Sequence, residues 1–390
     1  MERNDCPICG APHPYPIDHR AQTPVLMNRL YPSREAARLA THGTLDIVGC
    51  NACGFAWNRA FEPSLVVYDS EYENDQTHSA AFAAHVRARA ADVVGSAPVR
   101  DPIDYLEIGC GQGGFIREVV RTAAGRLRSA EGFDPAWRGR DAAGPAGSRI
   151  HKVYFSADTQ YRLIHAPNAV ASRHTIEHVP DPVAFLSAIR AALGPASRAN
   201  IFIETPCITW ILSREAMQDL FYEHCSLFTA GALRYAMEKS GFGPITVHHV
   251  FGGQYLWATG VARANNDPSR LPCHYPGHAS ELGARFAEKW SAAVMAARQT
   301  GTVAIWGAGA KGVTFALLTD PEAQIFDCAI DINPGKQGLH LAGSGLPVLS
   351  PSAAAERKPA TIFVMNPNYL DEIKSLTSDL GINAALVPIN

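Results

Sequence analysis

Two short cysteine pairs, Cys6-Pro-Ile-Cys9 and Cys50-Asn-Ala-Cys53, constrain the fold of this chain more than any other feature. Each pair puts two thiols on one tight turn, and two such turns supply the four soft ligands of a tetrahedral zinc site. A glycine follows each pair, Gly10 and Gly54, which suits a backbone that must swing round to aim both sulfurs at one ion. The stretch between the knuckles is longer than a ribbon loop needs, so it must carry structure of its own, and His13, His19 and His42 stand within it as substitute ligands. Four thiolates close the site against substrate. The zinc is therefore expected to hold the fold and do no chemistry. No charged start followed by an apolar run precedes Cys6, so the reading is a reduced, cytoplasmic protein rather than an exported, disulfide-linked one.

At 390 residues the chain has room for two to three domains, and 47% hydrophobic against 18% charged residues describes a chain with ample core. Its net charge of -3, without a Lys/Arg block, argues against a nucleic-acid surface. The longest apolar runs, 329–332 and 361–365, have the length of buried strands and fall far short of a membrane span. Cys110, Cys207, Cys225, Cys273 and Cys328 are scattered and read as packing residues. The partner implied is a small molecule, with no nucleic acid or membrane, and the chain is expected to be a monomer or weak homodimer.

Residues 1–72 are turn-rich and short of long periodic stretches, as expected of a small metal-stapled module. A helix over 79–94 and a Pro/Asp break at 98–102 introduce a new unit. There the pattern alternates: strand 103–109, helix 115–124, strand 129–134, strand 170–174, helix 181–193, strand 200–204, then strands near 245–250 and 255–261. Such alternation builds a parallel doubly wound α/β sheet. The domain is expected to span 73–262. A Pro/Asn/Asp-rich linker at 265–278 and a helix over 280–298 fill 263–298, and 299–390 reads as a second α/β unit with strand 302–306, helix 313–318 and strand 326–331.

Both units carry a glycine turn between strand and helix. In Glu107-Ile-Gly109-Cys-Gly111-Gln-Gly113-Gly114 the glycines let the backbone pass close under a ligand at the helix N-terminus. Glu107, at the strand end, is placed to meet a cationic amino group, and Asp134 at the end of the next strand is placed to accept ribose hydroxyls. The second turn, Gly307-Ala-Gly309-Ala-Lys311-Gly312, is formally a dinucleotide fingerprint with Asp331 about twenty residues on. Lys311 and Lys336 are candidate phosphate partners. Close helix–strand packing without any ligand explains the same glycines.

The first turn with its two acids resembles class I S-adenosylmethionine-dependent methyltransferases. Taken with the cysteine pairs, Tyr222-Glu223-His224, the second glycine turn and Asp331-Ile-Asn-Pro-Gly-Lys336-Gln-Gly338, nearly the whole chain resembles the sugar C-methyltransferases that act on nucleotide-linked (TDP-type) keto-deoxysugars in antibiotic biosynthesis. The resemblance implies a class I methyltransferase sheet flanked by an N-terminal zinc module and a C-terminal Rossmann-like domain that takes no dinucleotide. It places substrate in the cleft between the middle and last domains, with Lys311, Lys336 and Asn366 as substrate-binding candidates. The implied cofactors are S-adenosyl-L-methionine, at Glu107, Gly109, Gly111, Gly113, Asp134, Phe155, Ser156 and His174, and structural Zn2+ at Cys6, Cys9, Cys50 and Cys53.

In that family a ketone acidifies the neighbouring C–H, a base removes the proton, and the enolate carbon takes the methyl group. A neutral imidazole, with an ordinary pKa of about 6.5, serves as base. His224 fits that role with Glu223 beside it to orient the ring. His178 and Tyr72 match positions that face the sugar, and Tyr72 is the only point at which the zinc module is expected to approach the chemistry. The chain departs from the family pattern Tyr-x-Glu-His: Phe221 stands two before Glu223, and the phenol has moved to Tyr222, the remaining catalytic candidate. Methylation of oxygen, nitrogen or a non-sugar carbon is the nearest rival. A zinc-bearing nucleotide sensor without turnover and a dehydrogenase using Gly307 to Gly312 are the others.

Overall fold

The computed structural model describes residues 4–68, 71–97, 101–156, 162–263 and 281–389. The linker expected at 265–278 lies outside them, as do residues 98–100 of the expected break. The N-terminal part is more regular than its turn-rich sequence suggests. Strands β1 (Tyr15–Pro24), β2 (His42–Gly49) and β3 (Ala56–Asn58) form an antiparallel sheet. Period-two alternation builds β2: Leu45 and Ile47 are fully buried, while Asp46 between them faces outward to the Arg59 guanidinium at 2.7 and 2.9 Å.

The middle domain contributes β4 (Ile103–Ile108), β5 (Leu127–Phe133), β6 (Arg149–His151), β7 (Ala169–Arg173) and β8 (Asn200–Pro206). After β9 (Ser226–Leu227) come β10 (Thr246–Val250) and β11 (Tyr255–Val261), and the sheet order is β10-β11-β8-β7-β4-β5-β6. Neighbours pair in parallel except at β11, which is antiparallel to both β8 and β10. The sheet is the doubly wound one expected of a class I methyltransferase domain. Strand order reverses between β4 and β7, so a crevice opens at the carboxyl end of β4, beneath the first glycine turn. Flanking helices start where capping chemistry allows. Ser79 Oγ accepts the Phe82 N–H before helix Ala80–Gly95, and Asp181 accepts from Ala184 before helix Pro182–Ala192, which has proline at its first position.

Strand β9 leaves this sheet and completes the first one, in the order β1-β2-β3-β9, with Ala56 opposite Leu227 and Trp57 opposite Ser226. The loop just before β9 is thereby tied to the N-terminal cysteine-bearing part. Arg20 of β1 tightens the tie, donating to the carbonyls of Met217 (2.8 Å) and Leu220 (3.1 Å) and pairing with Asp18 at 2.7 Å. Burial lowers the Arg20 pKa, so its charge depends on these partners. Arg20→Met leaves Asp18 buried beside no cation and removes a donor from two carbonyls, of which Met217 O keeps the Leu220 N–H at 3.3 Å. A loss of about 3 kcal/mol is expected in urea unfolding; a change below about 0.5 kcal/mol, the range of an ordinary surface substitution, would show that the tie contributes nothing.

The last domain is a five-stranded parallel sheet in the order β14-β13-β12-β15-β16, made of β12 (Val303–Trp306), β13 (Cys328–Ile330), β14 (Val348–Leu349), β15 (Thr361–Val364) and β16 (Ala385–Pro388). The apolar runs at 329–332 and 361–365 supply two of these strands. One continuous core joins Ile17 and Ile47 of the first sheet, Met27 just beyond β1, Ile211 and Phe221 of the middle domain, Trp290 of the helix Leu282–Thr300, and Phe315 and Phe363 of the last domain. The three parts therefore meet through packed side chains.

Candidate active site

The two cysteine knuckles are near copies of each other. Gly10 N–H donates to Cys6 O and Gly54 N–H to Cys50 O, with both glycines left-handed (φ 74° and 73°). The four sulfurs lie within 4.8 Å of one another, with Cys6 to Cys53 and Cys9 to Cys50 each at 3.5 Å. A tetrahedral zinc with bonds of about 2.3 Å needs sulfurs roughly 3.8 Å apart, whereas a disulfide needs about 2 Å. The donor set fits zinc, and none of His13, His19 and His42 belongs to the cluster.

At the end of β4, Glu107 is 2% exposed and accepts from Tyr105 Oη at 3.2 Å. Burial pushes its carboxyl up to about 8, partly opposed by Arg173. That guanidinium pairs through Nε with Glu204 at 2.5 Å and covers the Phe115 ring at 4.3 Å, while its Nη2 has no hydrogen-bond partner. Beyond Glu107 the turn needs glycine for two reasons. Gly109, Gly111 and Gly113 all have positive φ, and a Cβ on Gly109 would run into Thr175, whereas Gly111 faces open space. Asp134 latches the turn, accepting from Gly111 N–H at 2.7 Å and Ala136 N–H at 2.8 Å, and burial raises its pKa. Phe155 packs edge-on against Phe133, with Ser156 next to it. A carboxylate in want of a cation, an open glycine face and a latched acid suit the amino-acid and ribose ends of S-adenosylmethionine.

Beside this cradle a cleft runs between the middle and last domains, lined by Tyr72, His174, Glu177, His178, Phe221, His224, Gln254, Lys311, Lys336 and Asn366 among others. Its chemical centre is a pair of imidazoles, His178 and His224, edge to face with ring centroids 4.8 Å apart. Phe221 covers the other side of His224 at 4.3 Å. One atom each of Glu177, His178 and His224 falls within 4.8 Å of the others. Burial, with His178, His174 and Lys311 nearby, drives the His224 pKa well below its usual value, and its Nδ1 has no hydrogen-bond partner. His174, held at φ 48°, has Nδ1 3.3 Å from Glu177 and Nε2 3.8 Å from Glu204, and its ring meets Tyr255.

Two of the expected roles change. Glu223 does not orient His224: it accepts from Met27 N–H at 3.1 Å and from Tyr72 Oη at 2.6 Å. Tyr222 is fully buried away from the cleft among Val25, Leu26 and Phe61, where its hydroxyl accepts the Glu62 N–H at 2.9 Å. Nor is Tyr72 the sole approach of the N-terminal part, because Met27 reaches Glu223 and Asn28 Nδ2 donates to Tyr72 Oη at 3.3 Å. Tyr68, which no periodicity or motif singles out, has its hydroxyl 2.7 Å from His178 Nδ1.

At the cleft's far side the second glycine turn repeats the first one's latch. Asp331 accepts from Ala308 N–H at 2.8 Å and Asn333 N–H at 2.9 Å. A Cβ on Gly312 would collide with the Gly307 carbonyl, which is a packing requirement. The face of Gly309, where a dinucleotide would lay its pyrophosphate, looks instead toward Asn28 Oδ1 and Lys336 Nζ. Lys311 pairs with Asp219 at 2.8 Å, Lys336 lies 3.7 Å from Asp331, and Asn366 donates to Gln254 Oε1 at 3.0 Å.

Comparison with known proteins fits this geometry. Residues 76–247 match the family described as a methyltransferase domain, and residues 275–383 match the C-methyltransferase C-terminal domain. The chain is 25% identical to the C-methyltransferase NovU of Streptomyces niveus, over 95% of this chain and 91% of that protein. Among solved structures, a putative S-adenosylmethionine-dependent methyltransferase from Listeria monocytogenes aligns over 46% of this chain and 98% of its own, at 11% identity and TM-score 0.35. One from Mesorhizobium loti aligns over 45% and 97%, at 15% identity and TM-score 0.34.

Proposed function

From the premise that this chain is an S-adenosylmethionine-dependent C-methyltransferase, built from a methyltransferase domain and a C-methyltransferase C-terminal domain, we propose that it methylates the carbon next to a ketone on a nucleotide-linked deoxysugar. The observation that carries the reading is the cleft's two-ended chemistry. Paired imidazoles stand near the cofactor cradle, and Lys311, Lys336 and the second glycine turn stand on the last domain's side. A keto-sugar diphosphate has the same two ends, an acidic C–H and a dianionic tail.

In this reading Glu107 and Asp134 bind the amino-acid and ribose ends of the cofactor, and the glycine turn lets it approach. When bound, S-adenosylmethionine supplies the electrophilic methyl group. The chain's own task is to take the proton and hold the enolate, and a buried, water-poor cleft strengthens each hydrogen bond that does so. Phe221 carries no hydroxyl, so an oxygen contact cannot come from that position.

Methyl transfer to a panel of TDP-linked keto-deoxysugars in deuterated water tests the proposal. The product is expected to have lost the acidic C–H at the methylated carbon. A product whose C–H is intact and whose new methyl sits on oxygen or nitrogen would overturn it.

A further inference from the structure

We propose that Glu177, His178 and His224 form a second metal site, open where the cysteine knuckles are closed, which takes a divalent transition-metal ion and blocks methyl transfer while the ion is bound. The ion's place follows from the geometry of this chain alone. Its inhibitory effect rests on reading the paired imidazoles as the groups that handle the acidic proton.

Glu177 and His178 belong to the single turn Ile176–His178 beyond β7, and His224 comes from the loop before β9, so packing rather than sequence spacing brings the three together. One ligand atom of each lies within 4.8 Å of the other two. An ion with bonds of about 2.1 Å needs its donors roughly 3.4 Å apart, so side-chain rotations of about an ångström close the set. Two of the donors have no other use. Glu177 is fully buried, and its Oε2 accepts the Thr205 hydroxyl at 3.0 Å. Its Oε1 has no hydrogen-bond partner, although His174 Nδ1 stands 3.3 Å from it, and Nδ1 of His224 is likewise buried without one. Buried acceptors left unmet are costly, and a single ion between these two satisfies both. His178 completes the set. Its Nδ1 lies 2.7 Å from Tyr68 Oη, the kind of outer contact that fixes the ring of a ligating histidine.

Two imidazoles and one carboxylate suit Zn2+ or Co2+, whereas Mg2+ and Ca2+ take oxygen donors. Three protein ligands leave a position free, and all three residues line the cleft, so the ion can enter and leave. Lys311, whose charge is felt at His224, is itself paired with Asp219 at 2.8 Å and does not face the site as an uncompensated cation. An imidazole whose lone pair is on a metal cannot accept a proton, so occupancy and turnover exclude one another.

Cobalt is the probe. Added to the full-length protein with zinc retained in its knuckles, Co2+ is expected to bind as one ion per chain. Its spectrum should show the ligand-field bands of a nitrogen and oxygen site, without the thiolate-to-cobalt charge-transfer band that exchange into the knuckles would add. Glu177→Gln, which keeps the size of the side chain, and His224→Asn should each weaken this binding about tenfold or more. S-adenosylhomocysteine affinity near the native value shows that each variant is folded. Methyl transfer by the native protein should fall in step with occupancy and return when the cobalt is dialysed away. Absent bands, thiolate bands alone, bands that survive both substitutions, or transfer that is unchanged or raised in the fully loaded protein would overturn the proposal. A protein that methylates no keto-sugar of the panel would overturn the function instead, because the spectra read the site without substrate.

Discussion

Stripping the metal from the cysteine knuckles, or replacing Cys50 with Ser, is expected to abolish methyl transfer while leaving S-adenosylmethionine affinity within a few-fold of the native value. The knuckles flank the sheet that sets the loop carrying Glu223 and His224. Cys50 follows β2 directly and Cys53 leads into β3, and β3 pairs with β9. Glu223 and His224 lie just before β9, clamped by Asn58 N–H on Cys225 O, Met27 N–H on Glu223 and Arg20 on Met217 and Leu220. A structural zinc in small modules contributes on the order of 10 kcal/mol to folding, so the first sheet does not survive its loss. The donors of the cofactor cradle, by contrast, are β4, β5 and their turns, none of which pairs with the first sheet. Equilibrium dialysis with labelled cofactor and a transfer assay separate the two effects. Full turnover in metal-free protein would mean that β9 keeps its place without the knuckles; loss of cofactor binding would mean that the module supports the middle domain as well.

The cysteine module thus has a wider reach than a closed four-thiolate set suggests, and the reason it could not be read from the sequence is instructive. Ser226 and Leu227 form a two-residue strand, too short for any period to reveal, and their partners lie in β3, far away in the chain. Long periodic elements were legible. The apolar run of β4 ends at a glycine turn, Ser79 and Asp181 announce their helices, and the acids at 107 and 134 fall where strand ends should carry them. Side-chain direction in irregular segments was not. Glu223 and His224 are adjacent in sequence, but one turns back to Met27 and Tyr72 while the other enters the cleft, and Tyr222 is buried on the module's side. Tyr68 meets a histidine 110 residues away from a stretch without regular structure, so nothing local marked it. Glu107, the glycine turn and Asp134 could be located because a strand, a turn and a helix set their positions. The histidine cluster could be named but not wired, because its geometry is decided by packing among three parts of the chain.

Cofactor affinity should rise with pH between about 6.5 and 8.5, and Glu107→Gln should remove that dependence. In the ligand-free protein burial holds the Glu107 carboxyl at about 8, against an ordinary value near 4.5. The folded state therefore binds one more proton than the unfolded chain between these limits. Stability from this group is fully present below about 4.5 and is lost as pH rises through 8, by at most about 5 kcal/mol at 1.36 kcal/mol per unit. A bound ammonium or sulfonium beside Glu107 reverses the preference, because a nearby cation favours the carboxylate. Binding below 8 must then expel a proton, which costs affinity by up to tenfold per unit of pH. Three observations should appear together: a dissociation constant for S-adenosylmethionine that falls by about 25-fold from pH 6.5 to 8.5, a thermal shift on binding that grows over the same range, and a ligand-free Glu107→Gln protein that is more stable than the native one at pH 8.5 although it binds the cofactor at least tenfold more weakly there. Calorimetry in two buffers of different ionisation enthalpy reads the proton release directly. A native affinity independent of pH, or a Glu107→Gln variant with the same slope as the native protein, would place the cation-binding charge on another residue of the cradle, with Asp134 the next to test.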